Sequence, residues 1–223
     1  MLMYSKYIKR IMDILISIFG LLIFLPLLLI TAVCIKIESR GPLIFRQKRI
    51  GKDGKVFEIL KFRSMYMDSE KKGSGVYSYK NDSRVTKVGK IIRALSIDEL
   101  PQFINILRGE MSLVGFRPPL TYHPWLFEKY TEEQKKMFRV KPGVTGWAQV
   151  NGRKNVEWSR RIELNIWYAE HLSFLLDVKI VLMTVLKVLS NSDNVAKHET
   201  VQHKESDTGI NVSANREESA VSR

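Results

Sequence analysis

Ile14-Leu-Ile-Ser-Ile-Phe-Gly-Leu-Leu-Ile-Phe-Leu-Pro26-Leu-Leu-Leu-Ile-Thr-Ala-Val-Cys-Ile35 is a run of 22 residues without a charge, bounded by Asp13 and Lys36. Coiled at about 1.5 Å per residue, it would make a helix of roughly 33 Å, long enough to cross the hydrocarbon of a bilayer. A soluble helix of that length keeps a polar face, and this run has almost none, so it reads as membrane-inserted. A cleaved signal peptide has an apolar stretch of about 7–15 residues and small residues at its cleavage site. This run is longer and leaves through Thr31-Ala32-Val33-Cys34-Ile35-Lys36. Pro26 falls near its midpoint, where proline removes a backbone N–H and clashes with the preceding turn.

Two topologies remain open on these residues, a spanning helix kinked at Pro26 and a re-entrant hairpin broken there. Lys6, Lys9 and Arg10 precede the run, and Lys36, Arg40, Arg46, Lys48, Arg49 and Lys52 follow it. The positive-inside rule therefore wants both flanks in the cytoplasm. A re-entrant pair of arms would satisfy it, each arm burying backbone groups that the break sets free in the other.

Outward from this segment, the 223 residues have room for one ordinary domain with an appendage. With 45% hydrophobic residues the chain can bury a core, which excludes general disorder. A single cysteine, Cys34, excludes a disulfide scaffold. Lys and Arg number 36 against 23 Asp and Glu, a formal charge of +13. From Ser190 onward four basic residues face six acidic ones, so the first 189 residues carry +15. Such an excess attracts nucleic acid, an anionic membrane surface or a phosphorylated substrate, and composition does not choose among them.

Residues 43–48 and 55–62 are rich in β-branched and aromatic types, and flanking Gly51-Lys52-Asp53-Gly54 they predict a β-hairpin. Residues 68–83 read as a polar mobile loop and 86–93 as a short basic helix. Apolar residues at 100, 103, 104 and 107 have helical spacing, Gly109 is a stop, and Ser96 and Glu99 have the spacing of a capping box. A loop at 115–119, a polar helix near 131–138 and two helices at 155–170 and 172–189 follow, the last with an apolar face suited to a core or a membrane interface. The tail after Ser190 has the composition of disorder.

Asp98 and Glu99 are an adjacent acidic pair in a strongly basic region. Carboxylates often do no more than stabilise a helix N-terminus, by about 0.3–1 kcal/mol. Placed among Lys61, Arg63, Arg93, Arg117 and Arg153, however, this pair could hold a divalent cation or attack a phosphoryl group. His123, His171, His198 and His203 have no ligand spacing, and neither a Walker loop nor a dinucleotide fingerprint occurs.

The runs Lys61-Phe-Arg-Ser-Met65, Leu95-Ser-Ile-Asp98-Glu99-Leu100, Gly109-Glu-Met-Ser-Leu-Val-Gly115, Arg117-Pro118 and Lys141-Pro-Gly-Val-Thr-Gly-Trp-Ala-Gln-Val-Asn-Gly-Arg153 occur in that order. Together they resemble the bacterial sugar transferases, small monotopic phosphoglycosyl transferases that initiate glycan assembly on a polyprenol phosphate. The resemblance covers residues 1 to about 189. It implies an α+β, mainly helical fold: a re-entrant membrane helix over 1–40, and a cytosolic catalytic domain over 41–189 with a small β-hairpin and amphipathic interface helices. The remaining residues, 190–223, would be a disordered tail. The implied reaction takes a UDP-sugar donor and undecaprenyl phosphate as acceptor at the cytoplasmic face of the bacterial inner membrane, with Mg²⁺ as cofactor. Asp98 is then the nucleophile and a Mg²⁺ ligand, with Glu99 its partner in metal or proton handling. Lys61, Arg63, Arg93, Arg117 and Arg153 would bind phosphate or nucleotide oxygens, with Asp177 a further substrate-binding candidate and Pro26 the helix break.

Two departures from the family's usual pattern stand out, Leu25-Pro26 where Ser-Pro is common and Phe116-Arg117-Pro118 where Pro-Arg-Pro is common. The resemblance gives no role to nucleic acid and leaves self-association into a homo-oligomer open. The alternative from another class is a membrane-tethered basic module that binds acidic lipid or nucleic acid without catalysis, a binding that would be strongly salt-dependent.

Overall fold

The computed structural model describes residues 4–69, 82–152 and 157–189. The apolar run forms two helices, α1 (Lys9–Ile23) and α2 (Leu25–Glu38), bent by 61° at Phe24. Phe24 donates to the Gly20 carbonyl and accepts from Leu28, closing one ladder and opening the next. Pro26 thereby falls in the first turn of α2, where a missing N–H costs nothing. Among the described residues no single helix is long and apolar enough to cross a membrane, although the bent pair is by length and composition.

The first arm is built inside out. Lys9, Asp13, Ser17 and Gly20 recur at helical spacing and face the protein, with Asp13 4% and Ser17 0% exposed. Ile11, Leu15, Phe19 and Leu22 occupy the outer face and are exposed. Gly20 permits the closest approach, because a Cβ there would lie 3.1 Å from the Phe103 ring.

Strands β1 (Ile44–Ile50) and β2 (Val56–Phe62) form the expected hairpin, antiparallel with Ile44 opposite Phe62 and Ile50 opposite Val56. Helix α3 (Lys87–Ala94) begins at Thr86, whose hydroxyl accepts from the Gly89 amide. Both oxygens of Glu38, at the end of α2, also cap α3, accepting from the amides of Lys87 and Val88 at 2.5 and 2.9 Å.

The expected capping box at Ser96 is not formed. Ser96 is left-handed (φ 56°) and makes no side-chain cap. Residues Ile97–Glu99 form a 3₁₀ turn instead, and Pro101, which has no N–H to donate, separates that turn from α4 (Gln102–Arg108). Gly109 ends α4 in the left-handed conformation, as expected (φ 83°).

A short parallel pair, β3 (Ser112–Val114) and β4 (Gly143–Thr145), joins the two glycine-rich motifs. The backbones meet so closely that a Cβ on Gly146 would strike the Gly115 carbonyl. The helix expected near 131–138 is α5 (Glu132–Lys135) continued as a 3₁₀ turn, and the capping box is here, between Thr131 and Gln134. Helices α6 (Trp147–Val150), α7 (Trp158–Glu170) and α8 (Phe174–Leu189) complete the chain. One core cluster joins Phe116, Tyr130, Met137, Phe138 and Ile162, and a second joins Val114, Val150, Tyr168 and Ile180 beneath α8. The expected tail at 190–223 and most of the loop expected at 68–83 lie outside the described residues.

Candidate active site

The turn Ile97–Glu99 presents two adjacent carboxylates to cations from three directions. Lys61, near the end of β2, places Nζ 2.6 Å from Glu99 Oε1. Arg117, on the loop after β3, reaches the same oxygen at 3.2 Å. Arg93, in the last turn of α3, donates from Nε to the Ser64 hydroxyl at 2.7 Å, and its charge acts on Asp98. The Lys61 and Glu99 side chains are largely buried, while Arg117 is about half exposed.

The two carboxylates are driven apart in acidity. Burial raises Asp98, and the adjacent Glu99 charge adds to that, while Lys61, Arg93 and Arg117 oppose it; the balance is a pKa pushed up to about 6. Burial acts on Glu99 in the same sense, but direct contact with Lys61 and Arg117 outweighs it and holds Glu99 well below the usual carboxylate range. Burial also lowers Lys61, partly offset by Glu99, and Glu99 raises Arg117. Glu99 is thus a fixed anion neutralised by two cations. Among the described residues no donor lies within hydrogen-bonding distance of the Asp98 carboxylate, which leaves its lone pairs available. Pairs of acids split by environment in this way are a mark of functional sites.

Of the residues singled out in the sequence, the fold brings together Asp98, Glu99, Lys61, Arg93 and Arg117. Arg63 belongs elsewhere: it is 6% exposed and donates to the carbonyls of Arg40 and Ser39 at 2.6 and 2.7 Å, tying down the chain that leaves α2. In this structure its guanidinium is a clamp on backbone carbonyls and does not join the carboxylate pair. Asp177 is likewise apart from the pair. Its oxygens accept from Lys9 at 2.5 Å, Tyr4 at 2.6 Å and Tyr168 at 2.7 Å in a buried cluster that joins α1, α7 and α8. A cavity of about 150 Å³ lies against that cluster and has neither Asp98 nor Glu99 in its lining. Arg153 lies outside the described residues.

Sequence reasoning missed Lys9 and Asp13 because they lie just outside the uncharged run. Asp13 accepts from the Ser112 hydroxyl at 3.0 Å and the Leu113 amide at 2.9 Å, anchoring α1 to β3. Their spacing of four with Ser17 was the available signal.

Among the described residues no group of three or more His, Cys, Asp or Glu is placed to hold a metal. The two adjacent carboxylates Asp98 and Glu99 fall short of the enclosed ring of protein ligands that zinc wants. A pair of carboxylates is the number that Mg²⁺ commonly takes from a protein, completing its shell with phosphate oxygens and water.

A carboxylate pair of split acidity thus lies among Lys61, Arg93 and Arg117, an arrangement with the charge to receive anionic groups. The chain belongs to the bacterial sugar transferase family, whose model matches residues 4–191. It is 43% identical over 182 residues to the sugar transferase EpsL of Bacillus subtilis, an alignment spanning 82% of this chain and 87% of EpsL. It is 43% identical over 188 residues to the UDP-glucose:undecaprenyl-phosphate glucose-1-phosphate transferase of Klebsiella pneumoniae. It is also 44% identical over 187 residues to the UDP-N-acetylgalactosamine-undecaprenyl-phosphate N-acetylgalactosaminephosphotransferase of Aeromonas hydrophila. Each of these two alignments spans 82% of this chain, which covers 40% and 44% of the length of those relatives.

Proposed function

We propose that the chain transfers a sugar-1-phosphate from a UDP-sugar to undecaprenyl phosphate, through a covalent intermediate on Asp98. The observation that carries this reading is the caged pair itself, one carboxylate neutralised and fixed, the other without a hydrogen-bond donor among the described residues and close to three cations. In the first step an Asp98 oxygen forms a bond to the β-phosphorus of the donor. The bond from that phosphorus to the bridging oxygen breaks, and UMP leaves with the electron pair. In the second step an oxygen of the lipid phosphate attacks the same phosphorus, the bond to Asp98 breaks, and the carboxylate is regenerated. Lys61, Arg93 and Arg117 offer charge to the phosphate oxygens, arginine by a fork that matches phosphate geometry. Asp98, and Glu99 through Oε2 rather than the Oε1 that Lys61 and Arg117 contact, are the groups that would hold Mg²⁺, which when bound would neutralise part of the diphosphate charge.

We further propose that α1 and α2 enter the membrane and return, with the site facing the cytoplasm. The outward apolar face of α1 supports insertion. The return is supported by anchorage of both arms to one body, α1 through Lys9, Arg10 and Asp13, and α2 through Glu38 and the chain clamped by Arg63. A donor from water and an acceptor in lipid can then meet at headgroup depth.

The test is UMP release from a panel of UDP-sugars by the protein in lipid with Mg²⁺. The wild-type chain releases UMP with at least one donor, and Asp98→Asn releases none while remaining folded and membrane-bound. Undiminished release by Asp98→Asn would remove the nucleophile assignment, and salt-sensitive polyanion binding without any release would favour a non-catalytic module.

A further inference from the structure

Asn105 lies within α4, is 0% exposed, and has no place in the chemistry above. Its carboxamide is nonetheless fully used. Oδ1 accepts from the Leu60 amide at 2.9 Å, and Nδ2 donates to the Glu58 carbonyl and to Glu110 Oε2, both at 2.7 Å. The orientation is dictated by chemistry: a flipped amide would set its oxygen against a carbonyl and a carboxylate.

The groups that Asn105 engages lie on one edge of β2, whose sheet contains β1 as its only other strand among the described residues. The carbonyl of residue 58 and the amide of residue 60 are the pair that a residue on a neighbouring parallel strand would bond, opposite Ile59. One side chain thus stands in for a third strand. The consequence reaches the site through the alternation of side chains along β2. Ile59 and Lys61 share a face. Ile59 packs against Ile106 and Met111, and Lys61 meets Glu99 at 2.6 Å. A slip of one residue would turn Lys61 to the opposite face.

We propose that Asn105 is a positioning residue for the transfer site, its carboxamide fixing β2 against α4 so that Lys61 is held on Glu99 beside Asp98. The inference rests on the reading of that pair as the reacting site.

The test uses the full chain in lipid nanodiscs and two readouts. The first needs no activity: acylation of Lys61 by an amine-reactive ester, followed by mass spectrometry. Asn105→Ala raises the Lys61 rate by about threefold or more, whereas Ile106→Val, a packing change in the same helix, leaves it within about 1.5-fold. Should Asn105→Ala not fold, Glu110→Ala, which cuts one of the three bonds, raises the rate by about twofold. An unchanged Lys61 rate in the folded variants overturns the proposal.

The second readout is UMP release. Asn105→Ala lowers kcat about tenfold in the wild-type background but less than about twofold in a Lys61→Met background, since coupled residues are not additive. It also changes kcat and donor KM in the same ratio as Lys61→Met. Equal losses in both backgrounds mean a general structural role and overturn the proposal. No UMP release by the wild-type chain would instead defeat the transferase reading, while the labelling experiment still decides the role of Asn105.

Discussion

Lys9→Met would test the buried cluster between α1 and α8. The Lys9 and Asp177 side chains are 11% and 7% exposed and 2.5 Å apart. Removing one member of such a pair leaves a buried charge uncompensated, which costs about 3–5 kcal/mol. Here Tyr4 and Tyr168 still donate to Asp177, so the loss belongs at the lower end, about 3 kcal/mol. For a protein of this size about 2–4 °C of Tm accompanies each kcal/mol, giving a fall of about 6–12 °C. The assay is thermal unfolding in nanodiscs, with Lys9→Met/Asp177→Leu alongside. The double variant should recover more than half of the loss, because an apolar pair leaves no lone charge and Tyr168, freed from Asp177, turns its one hydroxyl proton to the Val114 carbonyl 3.2 Å away. A shift below about 2 °C in the single variant, or a double variant no better than it, would refute the reasoning.

Asp98→Asn should raise Tm at pH 7, because burial raises the Asp98 pKa to about 6 and ionising it strains the fold. The sign follows from linkage: protonated Asp98 favours the native state fully below its unfolded value of about 3.9, and that advantage is lost as pH rises through about 6. The gain in Tm should therefore vanish below about pH 4, which pH-dependent melting will show. Over the same window UMP release should fall as pH drops through about 6, as a protonated Asp98 cannot attack, while Glu99 stays ionised. Gly20→Val should push α1 away from Phe103 and cost about 1–3 kcal/mol by overpacking, measured by unfolding, whereas Leu22→Val on the outer face should be silent. Tags at Met1 and Arg223 should both resist reagents outside an intact cell, and labelling of the first alone would establish a spanning helix.

The elements that were legible in the sequence are those with a local cause. The hairpin follows from two β-rich runs about a glycine-framed turn, and the break in the apolar run from Pro26. The end of α4 follows from Gly109, and the catalytic candidates Asp98, Glu99, Lys61, Arg93 and Arg117 follow from charge and motif. What was not legible depends on partners far apart in the chain. The β3–β4 pair unites residues 112–114 with 143–145. Arg63 and Asp177 look like substrate ligands by type, and only the fold shows the Ser39 and Arg40 carbonyls waiting for one and Lys9 for the other. Ser96 carries the letter of a cap, yet Pro101 sits five residues on and moves the helix start past it.

Arg10 donates to the carbonyls of Ile106 and Leu107 at 2.5 and 2.9 Å, at the far end of α4 from the carboxylate pair. The six steps from Gln102 to Arg108 span roughly 9 Å at the helical rise. Helix α4 is then a spacer, with one end fastened to α1 and the other leading back through Pro101 to the turn that carries Asp98. Lengthening or shortening the hairpin tip beyond Gly20 would alter how far the two arms project from the body and leave the position of Asp98 unchanged. A single residue inserted in α4 would do the reverse, turning the segment that carries Asp98 by about 100° and shifting it about 1.5 Å relative to α1.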